Sequence, residues 1–221
     1  MSEPVISVRG EAVLEVEPEI ARLSVRVESK DPDRRKVLDR LTARNAECLD
    51  LIKSYGDAVE RIETSRISVV PVLKYRKRDE NVQHYQGSTW IRLTVGDFAV
   101  LGELVTRLAN LELTAVDGPY WELRPSSDVY RRAREQAVHE ALNRARAYAD
   151  ALGCRLTGLV ELADSGMGPH DSMRPQATRY ALMASAPSAG GEPQPIELEP
   201  ETQVVSATVE ARFTASAPES L

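Results

Sequence analysis

Ala21-Arg22-Leu23-Ser24-Val25-Arg26-Val27-Glu28 is the stretch that decides the fold. Apolar and polar residues alternate through it without a break. A period of two puts alternate side chains on opposite faces of an extended chain, so the segment is a strand with one face on a core and the other in water. The same rhythm returns near the end, where Val205, Ala207, Val209, Ala211 and Phe213 alternate with Ser206, Thr208, Glu210 and Arg212. Upstream of the first stretch, residues 5–16 read as a further strand and Glu17-Pro18-Glu19 as a turn. These two neighbouring strands are expected to form a hairpin.

Downstream the period lengthens to three and four. Asp31-Pro32-Asp33 opens a helix, because aspartate accepts from free amide groups and proline at the first helical position forfeits no hydrogen bond. Val37, Leu38, Leu41, Asn45, Cys48, Ile52 and Tyr55 form its stripe, and Gly56 can take the left-handed conformation that ends it. Cys48 on that stripe reads as a small buried apolar residue rather than a reactive thiol. Residues 64–76 are a long strand with Ile67, Val69, Pro71, Leu73 and Tyr75 on one side, and Pro71 makes it an edge strand or a bulged one. After the polar turn at 77–81, residues 84–95 return with Ile91, Leu93 and Val95 inward. A second helix begins near Asp97 and carries Leu101, Leu104, Val105 and Leu108; a strand over 115–123 follows, made irregular by Gly118-Pro119.

The third helix is capped by Ser126 or Ser127 and ended by Gly153. Its stripe is Tyr130, Ala133, Ala137, Val138, Ala141, Leu142, Ala145, Tyr148, Ala149 and Leu152. Alanine at successive four-residue steps gives high helix propensity and a thin face that lets the axis lie close to a sheet. A strand over 155–163, a Gly-, Pro- and Ser-rich loop over 164–200, the last strand and a polar tail over 215–221 complete the chain. The expected fold is therefore α+β in two layers. It is a mainly antiparallel sheet packed by three helices, in the order β-β-α-β-β-α-β-α-β-loop-β. The chain reads as a single domain over 1–221, and an arrangement as two intertwined subdomains stays open.

Composition narrows the function. Net charge is −6, and aromatics are 5% of the 221 residues. A chain so balanced lacks the basic face that polyanion binders present, and it has few rings for stacking on bases. No basic-then-apolar leader opens the chain and no apolar run is long enough to span a bilayer, so a cytoplasmic address without membrane contact is expected. Two cysteines far apart, Cys48 and Cys154, make no disulfide framework.

No catalytic, metal or cofactor residues stand out, and no cofactor is expected. His139-Glu140 begins like a metalloprotease motif, but Asn143 stands where the second histidine belongs and His139 faces off the stripe. His84 and His170 are scattered. Gly166-Met167-Gly168 follows a strand, yet Pro169 comes next and no helix opens to present amides to a phosphate. Lys74-Tyr75-Arg76-Lys77-Arg78 reads either as an anion contact or as a charged hairpin tip that blocks edge-to-edge pairing, and the second fits an acidic chain better. In the long loop, Met173, Tyr180, Leu182 and Met183 form an apolar group suited to a neighbouring protomer or partner, or to the chain's own surface.

Local strings along the chain point to a family. They are Val8-Arg9-Gly10, Val16-Glu17-Pro18-Glu19-Ile20-Ala21, Gly56, Ile62-Glu63-Thr64-Ser65, Tyr85, Asp97 and Ala133-Arg134-Glu135-Gln136-Ala137. Ala145, Tyr148-Ala149, Leu152-Gly153, Ile196 and the last strand continue the series. In this order the chain resembles the SIMPL-domain family of oxidative-stress-defence and periplasmic immunogenic proteins. The resemblance implies a two-layer α+β fold and assembly into homo-oligomers, and it carries over no catalytic residues. Departures are the missing leader, His84 where a glycine is common, and Glu201 after Pro200 where another glycine is common. The leading expectation is a non-enzymatic, self-assembling binding or scaffold protein, with a link to stress responses that rests on the resemblance alone. The second is a small-molecule-binding protein or hydrolase with a site between strands and loop. The third is a weak nucleic-acid binder working through Lys74, Arg76, Lys77 and Arg78.

Overall fold

The computed structural model describes residues 3–76, 79–164 and 194–218. In chain order these form β1 (Val5–Val16), β2 (Ile20–Asp31), α1 (Arg34–Lys53), β3 (Val59–Arg76) and β4 (Asp79–Val95). Then come α2 (Leu101–Ala109), β5 (Thr114–Glu122), α3 (Asp128–Ala151), β6 (Leu156–Asp164) and β7 (Gln203–Ala215). The α+β class and the order of elements are those the periodicities specify. All strand pairs are antiparallel, and they build two sheets, β1-β7-β6 and β3-β4-β2-β5.

The expected hairpin between the first two strands does not form. β1 pairs along its whole length with β7, from Val5 opposite Thr214 to Val16 opposite Gln203, while β2 lies between β4 and β5. Glu17-Pro18-Glu19 lacks the Asn-Gly or Asp-Gly chemistry of a tight hairpin turn, and it joins strands of different sheets. By its contacts the chain divides into two units, one drawn from residues within 1–16, 125–188 and 202–221, the other from 17–124 and 189–201.

In the second of these, Leu23, Val25 and Val27 of β2 and Ile91, Leu93 and Val95 of β4 are fully buried. They pack with Leu41, Cys48 and Ile52 of α1 and Leu101, Leu104, Val105 and Leu108 of α2. The Asp33 carboxylate caps α1, accepting from the Arg35 amide at 2.8 Å. Pro32 thus precedes the cap instead of opening the helix. Leu38, expected on the stripe, is 42% exposed. Gly56 has φ +56°, the left-handed conformation expected just past the helix end. Asp97 caps a short 3-10 turn, Phe98–Val100, that leads into α2. β3 is a sheet edge, as Pro71 allows, and carries three register shifts, one of them next to Pro71 at Val72/Leu73; Ile67 and Leu73 on the expected inner side are exposed there. Residues 194–201 return to this unit without regular structure: Leu198 packs against the core, and the Ile196 amide donates to Thr106 Oγ1 at 3.1 Å.

In the other unit β7 is the middle strand, and α3 packs against β1 and β7. Ser127 caps α3 by accepting from the Val129 amide at 3.3 Å, and Gly153 past its end has φ +65°. Ala133, Ala137, Ala141, Ala145 and Ala149 are buried, whereas Val138, Tyr148 and Leu152 of the expected stripe are exposed. The stripe is narrow because the approach is close. A Cβ built on Gly10 of β1 would stand 2.0 Å from the Ala137 carbonyl oxygen, so the line of alanines forms the closest contact, with Leu142 packing beside it.

Candidate binding surface

The residues singled out in the sequence are not gathered into one place. Lys74, Tyr75 and Arg76 lie at the end of β3, where their backbones pair with Asn81, Glu80 and Asp79 of β4. Lys77, Arg78 and the loop group Met173, Tyr180, Leu182 and Met183 lie outside the described residues, as does His170. His139 is exposed on α3. His84, opposite Val72, is buried; desolvation and then the charge of Lys30 hold its imidazole below the usual value. The Cys48 thiol is pushed up to about 11 by burial, as an inert core thiol should be. Among the described residues no three His, Cys, Asp or Glu side chains are grouped to hold a metal ion.

What the fold does assemble is a solvent face on the four-stranded sheet. Inward positions of β2 and β4 fill the core, so the alternate positions face out. Register sets Arg22 of β2 beside Thr94 and Tyr120, Ser24 beside Arg92 and Asp117, and Arg26 beside Trp90. From β3, Arg61 lies beside Thr94, Glu63 beside Arg92 and Arg66 beside Trp90. Most charges here are engaged. Arg22 pairs with Glu122 at 3.0 Å, Arg26 with Glu28 at 3.1 Å and Arg61 with Glu63 at 2.7 Å. Arg26 also sits 5.3 Å from the Trp90 ring centroid, and the Tyr120 hydroxyl donates to Asp117 at 2.6 Å. That bond, more than desolvation, raises the Tyr120 pKa. A shallow recess opens among these strands, lined by side chains that include Arg22, Ser24, Arg61, Arg92 and Thr94.

The three-stranded sheet has a different character. Its outer face carries cross-strand ion pairs, Arg9 with Glu210 at 3.0 Å and Arg212 with Glu161 at 3.4 Å, around a second recess. Neither recess includes His84. β6, like β1, is an edge strand, and α3 packs mainly on β1 and β7. Leu159, Val160 and Leu162 of β6 are consequently 58%, 52% and 48% exposed. With no second partner strand among the described residues, the outer edge of β6 offers unpaired backbone groups as well as apolar side chains.

The arginine face was not legible as a contiguous string. The basic cluster at 74–78 stands out because its charges adjoin in sequence, whereas Arg22, Arg61 and Arg92 come from three strands. The signal was present only as arginines at solvent-facing positions of alternating segments.

The model of one protein family, SIMPL, described as a protein of unknown function (DUF541), matches residues 6–213. The chain belongs to the SIMPL family. That match spans both units, from β1 to β7. Among SIMPL relatives, the 26 kDa periplasmic immunogenic proteins of Brucella melitensis biotype 1 and Brucella abortus strain S19 are each 24% identical over 187 residues. The alignments cover 82% of this chain and 75% of each relative. No described helix is long and apolar enough to cross a membrane.

Proposed function

We propose that this SIMPL protein is a non-enzymatic binding or scaffold protein that assembles with copies of itself, and that β6 forms the seam. The observation that supports this reading is the outer edge of β6, which pairs with no other strand among the described residues and where Leu159, Val160 and Leu162 are about half exposed, α3 packing mainly on β1 and β7. An open edge of this kind carries no lysine or proline from Leu156 to Asp164, the residues that most often blunt such edges. Pairing with the same strand of a second copy would satisfy its backbone and bury the leucines. The loop group Met173, Tyr180, Leu182 and Met183 follows β6 in sequence and is the natural source of further apolar contact. Sedimentation velocity on the wild-type chain is expected to show a mass above the 24.4 kDa of one copy. Val160→Lys should bring the mass down to one copy. A wild type that stays monomeric, or a variant with unchanged mass, counts against the seam.

Location has two readings. Composition favours the cytoplasm, whereas the names of the relatives carry a periplasmic address. Cell fractionation with compartment markers distinguishes them.

A further inference from the structure

On the solvent face of the β3-β4-β2-β5 sheet, the carboxylates around the recess are engaged, while two guanidiniums among the described residues, Arg66 and Arg92, are not, and of these only Arg92 lines the recess. Glu122 holds Arg22, Glu63 holds Arg61, Glu28 holds Arg26, and Asp117 accepts from Tyr120. Arg92, in the middle of the recess, makes no ion pair or side-chain hydrogen bond to any described residue. Two hydroxyls lie next to it and are equally unengaged. Ser24 is its cross-strand partner on β2, and Thr94 stands two residues along β4 on the same face. Cross-strand neighbours have Cβ atoms about 5 Å apart, and residues two apart on a strand about 7 Å, so all three donors can reach one small group.

We infer that this recess binds a phosphate group of a small ligand, with Arg92 as its anchor and the Ser24 and Thr94 hydroxyls as flanking donors. The guanidinium fork matches two oxygens of an oxyanion, and hydroxyls on two further sides suit a tetrahedral group better than a planar carboxylate. Arg22 and Arg61 flank the position and add positive potential while keeping their glutamates. Glu63, the other cross-strand neighbour of Arg92, is the carboxylate in register with it and so placed to compete for it. The site is open to water, so affinity is weak, in the millimolar range. The inference holds whether or not the chain self-assembles, because it concerns a different sheet.

The test is an NMR titration of the full-length chain with inorganic phosphate, with sodium chloride at matched ionic strength and sodium acetate as controls. Saturable shifts of the Arg92 side-chain signal and of the Ser24 and Thr94 amides are expected with phosphate. Arg92→Ala should abolish them while leaving the remaining amide spectrum in place, which shows that the variant is folded. Arg92→Lys, which keeps the charge but loses the fork, should weaken binding about tenfold. Glu63→Gln should tighten it. Shifts that follow ionic strength alone, or that survive Arg92→Ala, overturn the site. An equal response to acetate overturns the assignment to phosphate.

Discussion

Gly10 shows how much a single position can decide. Its missing side chain lets β1 meet α3 backbone to backbone, and the line of buried alanines from Ala133 to Ala149 completes the contact. Gly10→Ala places a methyl 2.0 Å from the Ala137 carbonyl oxygen and 2.6 Å from the Ala141 nitrogen, both backbone atoms that cannot turn aside. The helix must shift, at a cost of about 1–3 kcal/mol by the behaviour of overpacked cores. Urea denaturation should show that loss, and a midpoint equal to wild type would mean α3 moves freely. His84 acts through its charge. Burial and Lys30 lower its folded pKa below the ordinary 6.5, so the unfolded chain takes up a proton first as pH falls. The stability this group supports is complete above that value and disappears as pH drops through the lower folded one. The denaturation midpoint should fall as pH drops through and below the ordinary histidine value, and His84→Gln should reduce the fall. An identical pH profile in the variant would exclude His84 as its source.

Among elements, α2 and the segment over 194–201 depend on each other. Gly102, in the first turn of α2, leaves room for the Ile196 carbonyl, and a Cβ there would lie 2.2 Å from that oxygen. Helix propensity alone makes Gly102→Ala stabilising by about 1 kcal/mol. Against it stand the Ile196–Thr106 hydrogen bond, worth about 1 kcal/mol, and the contact of half-buried Leu198, worth half of the roughly 1.5–3 kcal/mol of a fully buried side chain. The second group is larger, so Gly102→Ala should destabilise the chain in thermal or urea unfolding. A stabilised variant would show that the segment yields without loss. Elements were the most legible scale in the sequence. The alternation of 21–28, the alanine ladder of α3 and the helix starts near 33, 97 and 127 state their own structures because the forces involved are local, although the cap of α1 falls at Asp33, past the proline expected to open the helix. Pairing was not legible. A period of two tells which way a residue faces but not which strand lies beside it, and the partner of β1 is about as far along the chain as it can be. The arginine face shared that obscurity, since it exists only once β4 is known to lie between β3 and β2.

At the scale of the molecule, the two units differ in how the chain supplies them. The sheet of β3, β4, β2 and β5 comes from one run of residues, 20–122, so its strands find partners over short separations. The sheet of β1, β7 and β6 needs both ends, since Val5 pairs with Thr214 and Val16 with Gln203. β7 is also the middle strand, so β1 and β6 each have no neighbour until it arrives. Entropy disfavours closing a loop more as the loop lengthens, and pairings distant in sequence form late for that reason. Refolding should therefore proceed in an order. Pulse-labelling hydrogen exchange is expected to find the amides of β2 and β4 protected in an earlier phase than those of β1 and β7. The C-terminal strand, moreover, leaves the ribosome last, so the same order holds during synthesis. Protection of all four strands in a single phase would instead show that the long-range pairing of β1 with β7 is already present when the four-stranded sheet closes.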